Sequence, residues 1–300
     1  MATSPHPRIA AVKDWVGVSP PFYVREEPPP GARRADRPRR WPPARLAAVE
    51  ALWGEGFNSP AGAAETLRLA VPLALGCETK LLLLGGGLGG PACAIAQSSG
   101  AWVSSFESDR EQEAVARLRT AAHACRDRIE VEAWNPEYPE FGIRISDHAL
   151  ALEALRGADP VITLESLAAS LRPGNQIVMI EMVADTHAPD SDREFAAWCR
   201  LENRLPALPR QETITAALTR LHYDVRVVED VSGAHVNAAL AGWRQAVKAM
   251  GSGPCPAPAS ASVVVTEAEL WLLRIRVMRR FGFRLLRWHA VGKPKREGAA

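Results

Sequence analysis

LLLLGGGLGG, residues 81–90, is the stretch on which the fold reading turns. Four leucines after Lys80 make a short apolar run of the kind that is buried on both faces, as in a parallel sheet. The run ends in glycines, and Gly89–Ser99 behind them reads as a helix. Glycine permits the tight turn between the two and lets backbone N–H groups approach a ligand closely. The helix N-terminus adds donors and the positive end of a dipole. The unit suits a nucleotide-like ligand carrying a carboxylate or phosphate, and a tight βα turn without a ligand is the plain alternative.

The same alternation continues outward. Trp102–Phe106 reads as a strand and Arg110–Cys125 as a helix with apolar Ala114, Ala116, Leu118, Ala121 and Ala122. Strands follow at Ile129–Ala133, Ser146–Leu152 and Gln176–Met182, with a helix at Val161–Leu171 stopped by Pro173-Gly174. Repetition of strand then helix indicates a parallel sheet covered on both faces. Upstream, helices are expected at Ala44–Trp53 and from Ser59-Pro60 to about Leu75, with proline suited to a first turn. Beyond Ala184 the rhythm changes. Helices are expected at Asp192–Leu201, Gln211–Leu221, Ala234–Ala249 and Thr266–Arg279, and strands at Val225–Val228 and Arg284–Val291. The expected class is α/β: a Rossmann-like, seven-stranded, mostly parallel sheet with helices on both faces, an N-terminal helical cap and C-terminal helical insertions that cover a pocket. Residues 1–43 are rich in Pro and Arg and read as an extended or disordered lead-in. Residues 44–292 form the domain and 293–300 a polar tail.

Composition narrows the partners. With 47% apolar and 23% charged residues and a net charge of +2, the 300-residue chain is an ordinary globular one. Nothing global demands nucleic acid or membrane. Five cysteines, Cys77, Cys93, Cys125, Cys199 and Cys255, are scattered and never spaced as Cys-x-x-Cys. That speaks against a disulfide framework or a zinc knuckle and for a reducing, cytoplasmic setting. No metal site is expected. No apolar run is long enough for a transmembrane segment, and the N-terminus lacks a signal-peptide core. The arginines of WLLRIRVMRRFGFRLLRWH, residues 271–289, read as the polar face of a helix and then of a half-exposed strand.

Chemistry concentrates near the glycines. Glu107 closes the next strand, seventeen residues beyond Gly90, where an acid commonly holds ribose hydroxyls. Glycine loop and acid at βαβ spacing support each other. Read literally, Gly85-x-Gly87-x-x-Gly90 also fits a dinucleotide fingerprint. Trp53 and Phe57 read equally well as an aromatic lid and as staples for the N-terminal helices. His148 reads as structural, and His187 as a loop residue at the edge where substrates sit.

These residues, with those that follow, resemble the class I S-adenosylmethionine-dependent methyltransferases. LLLLGGGLGG is similar to the family's first motif and VSSFESD to its ribose-binding motif. EAWNPEYPEF stands at its adenine turn. RISDHALALEAL is similar to the fourth-strand motif, and LRPGNQIVMIEMV to the helix–Pro-Gly–strand unit after it. The likeness spans about Trp53 to Met182, and WGEGFNSP loosely resembles the sterol and quinone C-methyltransferase branch. The resemblance implies S-adenosylmethionine as cofactor, with Gly85, Gly86, Gly87 and Gly89 along its methionine part, Glu107 on the ribose and Asn135 at the adenine edge. It places Glu153 at the methyl-transfer region as the candidate catalytic base, with Glu55 and Glu181 behind it. Three departures stand out: Leu83 replaces the acid usual in the first motif, Asn135 replaces an aspartate, and Arg156-Gly157 stands where a His or aromatic is common.

Three functions stay open. One is methyl transfer by in-line displacement to a small-molecule acceptor: a lipid, a quinone or an anionic metabolite. The second is a non-catalytic relative serving as a binding or partner protein. The third is a nicotinamide-dependent oxidoreductase. No nucleic acid is expected, and a homo-oligomer is compatible with all three.

Overall fold

The computed structural model describes residues 40–186, 188, 189, 191–252 and 258–293. Of the expected lead-in over residues 1–43, residues 1–39 lie outside the described residues, as do the loop residue His187 and residues 294–300 of the tail, whereas Trp41 is buried and a helix already begins at Pro43.

Seven strands build one sheet: β1 (Lys80–Leu84), β2 (Trp102–Glu107), β3 (Ile129–Ala133), β4 (Ser146–Leu152), β5 (Leu171–Val183), β6 (Tyr223–Asp230) and β7 (Arg284–Gly292). Their order is 3-2-1-4-5-7-6. Strands β1 to β5 pair in parallel, and β7 runs antiparallel to both β5 and β6. This is the Rossmann-like, mostly parallel architecture expected. β1 shows why the sequence carries consecutive leucines there. Leu81 and Leu83 enter one core cluster with Ile95, Val103 and Leu150, while Leu82 and Leu84 enter the other with Phe106, Ala149 and Ile177. Each fully buried leucine contributes about 1.5–3 kcal/mol relative to exposure.

Nine helices among the described residues cover the sheet: α1 (Pro43–Trp53), α2 (Gly62–Ala70), α3 (Gly90–Ser99), α4 (Arg110–Ala122), α5 (Pro160–Ser170), α6 (Arg193–Glu202), α7 (Gln211–Arg220), α8 (Ser232–Ser252) and α9 (Pro258–Phe281). Residues of α2, α3, α6 and α9 fill the first cluster, and those of α5 and α7 the second. A third cluster joins Trp41, Val49, Trp53 and Phe57 to Leu88, Ala239 and Trp271. Of the inserted helices expected to cover a pocket, α7 therefore lies instead beside α5 on the flank of the sheet.

Several boundaries differ from expectation, most of all that of α9, which begins at Pro258 rather than Thr266. α2 ends at Ala70 rather than near Leu75, because Pro72 has no N–H to continue the ladder and the chain tightens into a single 3₁₀ turn, Val71–Leu73. α4 ends at Ala122, where His123 turns extended. α5 ends at Ser170, and Pro173-Gly174 falls inside β5 rather than after the helix. The pairing with β4 jumps there from Ser146↔Leu171 to His148↔Gln176, so the Pro-Gly pair forms a bulge in a strand.

Candidate functional site

β1 and β2 pair up to Leu84↔Phe106, so the glycine loop and Glu107 emerge on one edge of the sheet. The Gly85 N–H donates to the Phe106 carbonyl at 2.9 Å. Gly85 has φ +78°, and a Cβ on it would collide with the Leu152 carbonyl at the end of β4. Only glycine fits that passage. Glu107 is 7% exposed. One of its carboxylate oxygens accepts the Gly87 N–H at 2.9 Å and the other the Asp109 N–H at 3.0 Å. Burial raises its pKa above the ordinary carboxylate value, against the two backbone donors that favour the charged form. The acid and the loop thus form one hydrogen-bonded unit.

The start of α3 is less open than the sequence suggests. The Gly90 N–H donates to the Gly56 carbonyl at 2.9 Å, and Pro91 follows with no N–H at all. A Cβ on Gly90 would lie 2.6 Å from the Gly56 backbone. The helix N-terminus is therefore partly satisfied by the chain itself. Leu83, in place of the acid usual in the first motif, is fully buried in the apolar core.

Residues 40–58 roof this edge. The backbone N–H groups of Arg40 and Trp41 donate to Glu111 at 3.2 and 2.9 Å, and the Arg40 guanidinium meets Asp109 at 2.7 Å. The Asn58 amide donates to Gln112 at 2.8 Å. Arg119 donates to the Leu88 carbonyl at 3.0 Å and pairs with Glu50 and Glu55. The Trp53 and Trp271 rings meet edge-on at 4.9 Å. Both Trp53 and Phe57 are buried against Leu88, so they staple the N-terminal helices to the core. Glu55, a further candidate base, is exposed and held by Arg119.

Asn135 follows the buried Trp134 at the end of β3 and is exposed. Its side-chain oxygen accepts the Glu137 N–H at 3.1 Å and closes a local turn. His148 accepts the Gln176 N–H at 3.1 Å between β4 and β5, in keeping with a structural role.

At the ends of β4 and β5 the chemistry changes. Glu153 has φ +44° and is 8% exposed. Both its oxygens accept from one nitrogen of Arg274, at 2.8 and 2.7 Å, and Arg156 lies 3.6 Å away. Arg274, on α9, also pairs with Glu202 at the end of α6. Arg204 meets Glu202 at 3.1 Å and approaches Glu181 at 3.9 Å. Glu181 accepts the Leu155 N–H at 2.8 Å and the Met182 N–H at 3.1 Å. Three carboxylates and three guanidiniums thus interlock, all but the half-exposed Arg156 out of water. Burial works to raise the Glu153 pKa, but Arg274 and Arg156 outweigh it and hold the group well below the carboxylate range. Glu202 shifts down for the same reason, through Arg274, Arg156 and Arg204. Glu181 has weaker pairing, and burial pushes it up to about 7. His235 lies beside them with Nε2 lacking a partner, pushed down to about 3 by burial and by Arg274.

Glu153, the expected base, is thus paired with Arg274, and such pairing weakens a carboxylate as a proton acceptor. One expectation is corrected here. Arg274 belongs to a buried face of α9, not to a polar one, because its neighbours Leu270, Trp271, Val277 and Met278 are all buried. Sequence reasoning missed Arg274, Glu202 and Arg204. The spacing of those apolar neighbours, three and four residues to either side of Arg274, was the signal available. The Cys77, Cys93, Cys125 and Cys199 thiols are free, and among the described residues no group of side chains suits a metal ion.

No family model matches the chain, and no curated protein matches its sequence. Solved structures do match its fold. A geranyl diphosphate C-methyltransferase from Streptomyces coelicolor A3(2), crystallised with S-adenosyl-L-homocysteine, superposes with a TM-score of 0.58 at 13% identity, over 85% of this chain and 100% of that one. Phosphoethanolamine N-methyltransferase 2 from Haemonchus contortus, in complex with S-adenosyl-L-methionine, gives 0.67 at 16% identity over 83% of this chain, which spans 57% of that one. The [4+2]-cyclase SpnF gives 0.63 at 16% identity, over 83% of this chain and 94% of that one. At such identities the likeness establishes a fold shared by methyltransferases and a cyclase, and the reaction must be argued from the site.

Proposed function

We propose that this chain is an S-adenosylmethionine-dependent methyltransferase acting on a small-molecule acceptor. The observation that carries the reading is the unit of Glu107 and the glycine loop, buried and hydrogen-bonded at the carboxyl edge of β1 and β2. Each Glu107 oxygen accepts one backbone N–H and keeps a further lone pair, so the pair can take both ribose hydroxyls. Gly85, Gly86, Gly87 and Gly89 would border the methionine part, and Asn135 the adenine edge. Leu83 supplies nothing to the cofactor's ammonium, so binding rests more heavily on Glu107. When bound, the cofactor supplies a methyl group already activated on a sulfonium, leaving the protein to align the partners and exclude water.

The ionic cluster bears on the acceptor. With Glu153 held as a carboxylate by Arg274, the reading favours an acceptor that offers its electron pair without first losing a proton. Lipid, quinone and anionic metabolite acceptors stay within the proposal, as do a cytoplasmic setting, in keeping with the free thiols, and a homo-oligomer. A second reading rests on the cluster itself: ion pairs seal the edge where an acceptor would sit, as in a binding protein that keeps the fold without turnover.

Calorimetric titration with S-adenosylmethionine and S-adenosylhomocysteine, with NADH as control, tests the first step. The expected result is micromolar binding of both sulfur ligands that Glu107→Ala abolishes. Binding of neither would sink the proposal, and binding of NADH instead would revive the oxidoreductase. Cofactor binding without label transfer from methyl-labelled cofactor to a broad acceptor panel would favour the second reading.

A further inference from the structure

α8 is 21 residues long, yet Ala239 is its one buried residue. It packs on α1, with Gly242 against the Trp53 ring and Ala239 in the third cluster. Adjacent to that seam runs a second apolar row. Leu240, Val247 and Met250 are 41%, 59% and 36% exposed, with Trp243 half-buried among them. At about 100° per residue, these four share an arc of roughly 80°. Arg244 and Lys248 fall along its outer border. Both are exposed, and neither forms a salt bridge among the described residues. Ser232–Ser252 contains no Asp or Glu at all. No helix among the described residues is long and apolar enough to cross a membrane, but this one has the layout of a helix that lies along a surface.

We propose that α8 docks the protein onto an anionic lipid surface, with Leu240, Val247 and Met250 entering the interfacial layer, Trp243 anchoring the row to the third cluster, and Arg244 and Lys248 meeting the headgroups. Charge selects this occupant over a second copy of the chain. Two α8 helices paired about a two-fold axis would bring Arg244 and Lys248 toward their own equivalents with no acid on the helix to meet them, whereas a negative surface complements both. The inference holds whether or not the methyltransferase reading does.

Flotation of the full chain with vesicles tests it. The protein should float with phosphatidylcholine vesicles containing phosphatidylglycerol, not with phosphatidylcholine alone, and added salt should release it. Leu240→Glu with Val247→Glu should weaken partitioning by roughly tenfold or more, with circular dichroism unchanged. Arg244→Gln with Lys248→Gln should weaken it by roughly tenfold and flatten the salt dependence. Failure of the wild-type protein to float with anionic vesicles overturns the proposal. So does equal flotation of both variants. So does a dimer in light scattering that Leu240→Glu with Val247→Glu dissolves, found without vesicle binding.

Discussion

Glu107 and Glu153 end parallel strands two places apart in the sheet, and they are 7% and 8% exposed. Their pKa values nevertheless move in opposite directions. Around Glu107 the partners are backbone N–H groups, which are dipoles, and burial wins. Around Glu153 they are two guanidiniums, and burial loses. Depth alone therefore does not set the charge state of a carboxyl; the net charge of its neighbours does. Glu107 itself is held by small local interactions, and Glu153 by a few large ones drawn from distant parts of the chain.

That contrast can be broken most forcefully at Arg274. Arg274→Met removes the cation shared by Glu153 and Glu202 and leaves two buried carboxylates short of a partner. The expected loss is about 3–5 kcal/mol in urea unfolding. A loss below about 1 kcal/mol would show that the cluster can rearrange or admit water. Next comes Gly85→Ala, which sits where the two ends touch. It forces an alanine to φ +78° against the Leu152 carbonyl, and about 2–3 kcal/mol should be lost.

A pH series sharpens the comparison. Glu181 is raised to about 7, so the folded state binds its proton more tightly than the unfolded chain. Its contribution favours folding below the ordinary carboxylate range and fades as pH rises to about 7. Glu107, also raised, acts with the same sign. Glu153 and Glu202 act oppositely: their contribution is present above the ordinary range and lost as pH falls below it. Between pH 5 and 7 the lowered His235 acts against Glu181, because it gains stability as pH rises, so Glu181→Gln should turn the slope of urea stability against pH upward relative to the wild type. An unchanged slope would remove Glu181 from the explanation. The smallest effect belongs to the β2 end. Asp109 caps α4 through the Glu111 and Gln112 N–H groups, and Asp109→Ala should cost about 1 kcal/mol.

The same contrast explains what the sequence disclosed. The glycine loop and Glu107 lie within one βαβ unit, where spacing along the chain maps directly onto space. Strand β1 and the end of β4 were legible for that reason, since a doubly buried strand leaves an unbroken apolar run. The cluster was not. Glu153 and Arg274 are 121 residues apart, and no local pattern couples them until α9 is laid over the sheet. Pro173-Gly174 misled in the opposite way. It marks a turn in most contexts, but here the flanking strand absorbs it as a bulge, so pairing with β4 overrides local preference. The roof over residues 40–58 was partly legible, as helix α1, but its ties to Glu111, Asp109 and Gln112 are tertiary.

β7 lies between β5 and β6. A chain emerging from the ribosome will have made β6 long before the strand that joins it to the rest of the sheet. Until Arg284–Gly292 arrives, β5 and β6 each show an unpaired edge, and the α9 arginine that neutralises Glu153 has itself only just appeared. Such late-closing, long-range pairings are slow and expose edges to wrong partners meanwhile. Truncation just before β7 would therefore remove an interior strand, not trim a margin, and the shortened chain should be far more prone to aggregate than the full one.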